Sequence, residues 1–246
     1  MYYILQGDFT MAFAQNMQCF VIDRYYRYIN EKFPSQCEDA LLTAFHLYMF
    51  QQGNRGAQRA VRDGQPLDFY NYEKYREVVS TPEMIKEDSP HVTHNTLTHD
   101  NFEVTITLCT AHRLFGQLGT PYAAEKFFCT NVDTMNAKSF NPHLQYHVDN
   151  ILCDNEVCIQ RCDNINCPYT ELGPRAEDAP PFPFIMANMF VSMGKVIRAI
   201  FGREGENINN KVQQDFIERY GNEDFDKIKV YFDSDFEIPY PYGLKK

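Results

Sequence analysis

Phe102-Glu103-Val104-Thr105-Ile106-Thr107-Leu108-Cys109 is the run whose reading decides the fold. Phe102, Val104, Ile106 and Leu108 alternate with Glu103, Thr105, Thr107 and Cys109. A period of two makes this a half-buried strand, with Cys109 on its more polar face. Further along, Leu144 to Leu152 and Val157 to Asp163 read as a hairpin turning at Asp154-Asn155. Between the first strand and the hairpin, Gly119-Thr120-Pro121 opens a helix, with Thr120 as N-cap and Pro121 at the first helical position. Asn141-Pro142 ends it. The whole stretch from Asn101 to Asp163 therefore reads strand, helix, helix, strand, strand, and it holds five of the eight cysteines.

The faces follow from spacing. Cys129 and Asp133 stand four apart on the helix and share a side. Gln145, His147 and Asp149 point one way on the hairpin's first strand. Cys158, Gln160 and Cys162 share a face on its second. If the polar faces coincide, Cys109, His147 and Cys158 line one concave wall, with Cys129 and Asp133 above it.

Working outward, the N-terminal half reads as helical. Gly7 to Lys32 carries an untidy apolar stripe of Phe9, Phe13, Phe20 and Tyr28. Ser35-Gln36-Cys37-Glu38 reads as a capping box. Leu41, Ala44, Phe45, Tyr48 and Met49 then follow helical spacing, and this helix continues through Arg55-Gly56 to Arg62 before Asp63-Gly64. Gly53 and Gly56 allow two readings: a loop at Gly53-Asn54, or close approach by another backbone or a ligand. Tyr70 to Val78 reads as a short helix. Thr81 to Asp100 is polar and holds His91, His94 and His99, in a spacing that suits a solvated loop better than a zinc site.

Pro168 to Pro183 contains five prolines and reads as a linker. Helices are expected at Phe184 to Phe201 and Asn209 to Tyr220, a strand at Lys227 to Phe232, and an extended tail from Ile238. The resulting expectation is an α+β fold. It has a small antiparallel sheet with packed helices, a helical N-terminal half and a helical C-terminal extension. Residues 1–167 form the main domain, helical over 1–100 and carrying the sheet over 101–167. Residues 168–183 are the linker and 184–246 the extension.

A net charge of −10 and a pI near 5.2 lack the electrostatic footprint of a nucleic-acid binder. The apolar run Phe182 to Phe201 is broken by Asn188, Lys195 and Arg198, which favours a buried or groove-lining helix over a membrane span. With no secretory signal in view, eight cysteines point to free thiols in a reduced, cytoplasmic protein.

Cys109, Cys129 and Cys158 are the candidate reactive groups. Each also suits a small apolar place in a core. Function as a nucleophile needs a thiolate, favoured by a nearby cation, His or helix N-terminus. Cys109 ends its strand just before a helix, which makes it the first choice, with Cys158 next. His147 is the candidate base in the hairpin, and Asp133 a candidate acid/base. A metal held by the thiolates with His147 or Asp133 is the weaker alternative, since CxxC spacing is absent. Glycine-rich phosphate loops and the Gly-x-Ser-x-Gly elbow are absent too, and no cofactor is expected.

Two blocks resemble the L-2-amino-thiazoline-4-carboxylic acid hydrolase-like family. The first is Arg55-Gly56, Arg59-Ala60, Arg62-Asp63-Gly64, Leu67-Asp68, Tyr72, Tyr75 and Glu77. The second runs from Cys109 through Cys129, Asp133, Phe140-Asn141-Pro142 and Asp154 to Cys158. Cys153 stands where the family usually has Gly. The resemblance implies hydrolysis at a C–N or C–S bond of a small substrate of amidine or thiazoline type, heterocycles included, in secondary metabolism. It assigns catalysis to Cys109, Cys158, Asp133 and His147. It assigns substrate binding to Arg55, Arg59, Arg62, Cys129 and Asn141, with the arginines gripping a carboxylate. The competing expectation is a non-catalytic small-molecule or metal-binding module that uses the same cysteines.

Overall fold

The computed structural model describes residues 15–77, 92–173 and 175–244. The fold is α+β: eight α-helices and one four-stranded antiparallel sheet among the described residues. The strands are β1 (Val92–Leu97), β2 (Asn101–Leu108), β3 (Gln145–Asn150) and β4 (Cys158–Asp163), in the order β1-β2-β4-β3. β2 alternates as its sequence dictates, with Phe102, Val104 and Ile106 buried. Register places Ile106 opposite Cys158, Val104 opposite Gln160 and Phe102 opposite Cys162. Tyr146 and Val148 of β3 lie opposite Cys162 and Gln160. One face of the sheet is therefore apolar at its ends and amide-bearing in the middle.

β1 lies inside the stretch expected to be a solvated loop. Its residues are almost all exposed, so no hydrophobic alternation announced it. The ladder to β2 holds it as an edge strand. His94 sits on it and His99 in the turn that follows, both exposed; His91 lies outside the described residues.

The helices are α1 (Gln15–Lys32), α2 (Cys37–Arg62), α3 (Phe69–Tyr75), α4 (Thr110–Leu118), α5 (Tyr122–Phe140), α6 (Phe182–Phe201), α7 (Arg203–Tyr220) and α8 (Asn222–Lys229). The portion of the first expected helix before Gln15 lies outside the described residues, as does Val78 at the end of the third. The expected capping box is not formed. Pro34–Gln36 makes a 3-10 turn that runs straight into α2, so Ser35 never occupies the N-cap. α5 begins one residue later than expected, with Pro121 as N-cap.

α2 is continuous through both glycines and organises the packing. A Cβ on Gly53 would stand 2.5 Å from the Asn136 carbonyl oxygen and 2.8 Å from the Phe140 nitrogen of α5. One on Gly56 would stand 3.2 Å from the Tyr75 carbonyl oxygen. The glycines thus let α5 and the end of α3 approach the α2 backbone closely, and the loop reading of Gly53-Asn54 is set aside.

Two cores share α2. On one side Ala57 and Ala60 meet Phe69, Tyr72, Phe140 and the inner face of the sheet. On the other, Leu41, Phe45 and Tyr48 pack with α1 and with Phe184, Met189, Phe190 and Met193 of α6. The segment expected as a C-terminal extension is thus packed into the helical core. α6 is long and apolar enough to cross a membrane by length and composition, yet 61% of that window is buried against its neighbours. The strand expected at Lys227 to Phe232 is instead the end of α8 followed by turns. Phe225 and Ile228, three apart, bury one helical face, and the positive φ of Gly221 separates α8 from α7. The tail folds back in turns rather than extending, with the Asp235 amide donating to the Gly243 carbonyl.

Candidate functional site

A cavity of about 510 Å³ lies between the inner face of the sheet, α5, α2 and the start of α4. Its size falls within the usual range for small-molecule sites. Three thiols border it: Cys109, Cys129 and Cys158.

Each is positioned by a different element. Strand β2 ends at Leu108, and Cys109 becomes the N-cap of α4, with extended φ −121° and ψ 127°. Strand parity therefore does not aim this side chain; the turn into the helix does. Cys158 opens β4 on the inner face opposite Ile106. Cys129 looks in from α5, one turn before Asp133.

Burial pushes all three thiols upward. Cys158 is raised to about 12, and Cys129 further, with the neighbouring Cys109 and Glu125 adding to burial. Cys109 is raised by burial, with Asp133 and Glu125 adding to it. It alone of the three has helix amides opposing the rise: the Ala111 and His112 N–H groups favour its thiolate, although no cap hydrogen bond is formed. All eight cysteines are free.

Asp133 sits at the middle of the cavity. Gln160 Nε2 donates to its Oδ2 at 2.9 Å, and Tyr146 Oη donates to Gln160 Oε1 at 2.7 Å. The same Gln160 amide lies 3.8 Å from Cys158 Sγ. Burial raises the Asp133 carboxyl above the usual range; the Arg76 charge and the Gln160 hydrogen bond only partly oppose this.

The far end holds two guanidinium groups. Arg76, just past α3, lies 3.4 Å from Glu73, and its buried Nε has no hydrogen-bond partner in the protein. Arg175, from the proline-rich segment, pairs with Glu73 at 3.1 Å and also donates to the Glu73 backbone carbonyl. Burial and the Arg76 charge pull Arg175 down to about 10. One carboxylate thus faces two guanidinium groups at the edge of an aromatic-walled space that includes Tyr72 and Tyr146.

At the thiol end His112 also borders the cavity, and Glu125 stands behind it. His112, on the first turn of α4, holds Glu125 of α5 through Nδ1 at 2.5 Å. α4 and α5 are held at this angle by Gly119, whose left-handed φ of 58° ends α4. Arg27 of α1 clamps that corner by donating to the Gly119 carbonyl at 2.5 Å.

Several sequence expectations are corrected by this geometry. His147 lies on the outer face of the sheet, exposed and 3.7 Å from Asp163, because the polar faces of the two hairpin strands do not coincide. Arg55 is fully buried with every nitrogen engaged: Glu77 accepts from Nε at 2.9 Å and from Nη2 at 2.5 Å, and Asn188 and the Phe236 carbonyl accept from Nη1. Arg59 donates to the Tyr75 carbonyl and Asp178. Arg62 is spent on Asp63 and Asp178 at the surface. Asn141 caps α5 and donates to the Leu67 carbonyl at 2.6 Å. None of these five borders the cavity. Arg76, Arg175, His112 and Gln160 take their places, with Glu125 holding His112 from outside the lining. Arg76 directly follows the tyrosines of the first block and His112 follows Cys109 by one helical turn, so both were within reach of a spacing argument. Arg175, arriving from a linker, left no local signal.

Among the described residues, no group of three His, Cys, Asp or Glu side chains is arranged to hold a metal ion. Comparisons of the chain with protein-family models, with curated proteins and with solved structures found no match, so any functional reading rests on the residues of the cavity.

Proposed function

We propose that the cavity is the active site of a hydrolase-like enzyme. It acts on a C–N or C–S bond of a small amidine or thiazoline-type carboxylate. The observation that supports this reading is the polarity of one cavity: it is lined by the thiols of Cys109, Cys129 and Cys158, by the buried carboxyl of Asp133, which burial raises, and by the guanidinium groups of Arg76 and Arg175. A small planar carboxylate held by Arg76 lies with its reactive carbon toward the thiols. The unpartnered Arg76 Nε supplies a donor that such an anion would satisfy.

In this reading Cys109 is the nucleophile. The Cys109 S–H bond breaks, and its proton is later taken up by the departing sulfur or nitrogen. The Sγ–C bond forms as the C=N pair of the substrate moves onto nitrogen, which takes a proton from Asp133. The two protons of the water that later releases Cys109 restore Asp133 and the thiol. The bond to the leaving sulfur or nitrogen then breaks with its electron pair, and water releases Cys109. The function needs no cofactor and is set in the cytoplasm. The resemblance to the thiazoline hydrolase-like family belongs to the same proposal.

The test is ring opening of 2-aminothiazoline-4-carboxylate by the purified full chain, followed by mass spectrometry. Turnover that disappears in Cys109→Ser, with an unchanged melting temperature, supports the reading. If Cys109→Ser and Cys158→Ser both retain turnover, covalent catalysis is excluded and water activated by Asp133 replaces it. The competing reading is a binding module, favoured by the upward shift of all three thiols. Saturable binding of the carboxylate with no turnover and no adduct would establish that module instead.

A further inference from the structure

We infer that His112 is the base that removes the Cys109 proton, and that Glu125 is the residue that positions its ring. This rests on the reading of the cavity as a thiol-dependent active site, but its test does not need the substrate. The side chains acting on the Cys109 sulfur include Cys19 from α1, Glu125, Cys129 and Asp133 from α5, and Cys158 from β4, beside the Ala111 and His112 amides of α4. These side chains are thiols and acids. A standing thiolate paired with a cation is therefore not built here, and the proton has to leave as the sulfur attacks.

His112 is the imidazole placed to receive it. It follows the N-cap cysteine by three residues, so the two side chains rise from the same turn. Both border the cavity. Its Nδ1 is engaged by Glu125, and with the proton on that nitrogen Nε2 carries the free lone pair. Glu125 is itself fixed, buried in the first turn of α5, where the helix end favours a carboxylate. The resting structure shows no hydrogen bond between the sulfur and the ring. Such contacts are often long before a ligand closes the site. On reaction with an electrophile the S–H bond breaks, its proton moves to Nε2, the new S–C bond forms, and the leaving group departs with its electron pair.

Iodoacetamide supplies that electrophile, with iodide leaving. The experiment follows carbamidomethylation of Cys109 in the folded full chain by peptide mass spectrometry from pH 5 to 10. The expected wild-type rate rises in a limb that lies below the alkaline thiol range. His112→Gln removes that rise and slows labelling at pH 7.5 about tenfold or more. Glu125→Gln slows it by a smaller factor, and Glu125→Asp restores part of the loss, which a purely structural role would not do. A wild-type profile that rises only in the alkaline thiol range overturns the inference even if a variant fails to fold. So does a His112→Gln profile that matches wild type. An intact histidine limb with no ring opening removes the hydrolase reading and leaves the dyad. Ring opening without the limb does the reverse.

Discussion

Arg55 and Arg76 sit on opposite sides of α2's packing and solve the same problem differently. Arg55 lies in the helical core, where Glu77, Asn188 and a backbone carbonyl satisfy its guanidinium group, and Asn188 in turn joins Ser192 and Gln51. Arg76 lies on the sheet side, weakly paired, with an unpartnered Nε at a cavity. Buried polar groups that are fully bonded to each other hold elements together. Buried polar groups left incomplete beside open space are where a ligand belongs. Arg55 is of the first kind and Arg76 of the second.

The largest expected effect tests the first kind. Arg55→Ala leaves Glu77 buried and unpaired, and should cost about 3–5 kcal/mol in urea unfolding. Arg76→Ala should cost under about 1 kcal/mol, as for a partly exposed pair. If the two losses are equal, the contrast between the two arginines fails. Next in size is ligand binding. Arg76→Ala should weaken binding of 2-aminothiazoline-4-carboxylate by about ten- to a hundredfold, the value of a hydrogen bond to a charged group, measured by calorimetry. Arg62→Ala should leave that affinity unchanged, since its guanidinium group is spent on Asp63 and Asp178. Equal losses would return the carboxylate site to the arginines of α2.

A smaller effect probes the seam between α2 and α5. Gly53→Ala must push α5 off α2 and should cost about 1–3 kcal/mol. Gly116→Ala, also helical but with open space where its Cβ would go, should stabilise by about 0.5–1 kcal/mol. Thermal unfolding of both variants separates close approach from helix propensity. A Gly53→Ala protein as stable as wild type would mean that the helices have slack there.

What the sequence made legible is uneven. The alternation of β2 and the hairpin was readable because one face is buried and the period is exact. The continuity of α2 was left open between a loop at Gly53-Asn54 and a close approach, because the α5 backbone that fits against Gly53 lies far away in sequence. β1 was not readable, because an edge strand held by its ladder carries no hydrophobic code. Among site residues, spacing placed Cys129 and Asp133 on one helix face and Cys158 on one face of its strand, whereas Cys109 reaches the cavity through the turn into α4 rather than through strand parity. His147 and the α2 arginines were misplaced for a different reason. Spacing fixes which residues share a face, but which face meets the cavity depends on contacts with Asp163, Glu77 or Asp178, far away in sequence.

The smallest effect concerns Asp133, and its sign is the sharpest discriminator. Burial raises this carboxyl in the folded state, and Arg76 and Gln160 offset only some of the rise. A raised acid favours the folded state when protonated. That contribution is fully present below the unfolded value, about 3.9, and is lost as pH climbs through the folded value. Asp133→Asn keeps an oxygen to accept from Gln160 and cannot ionise. Wild type should therefore lose stability relative to Asp133→Asn as pH rises from 4 to 7, by about 1.4 kcal/mol for each unit of displacement at most. Urea unfolding of both proteins at several pH values gives this difference directly. The opposite slope, with wild type gaining as pH rises, would mean that Arg76 holds Asp133 as an ionised partner. Arg76 would then serve the fold just as Arg55 does, the proton for the substrate nitrogen would have to come from elsewhere, and the contrast between the two arginines would disappear.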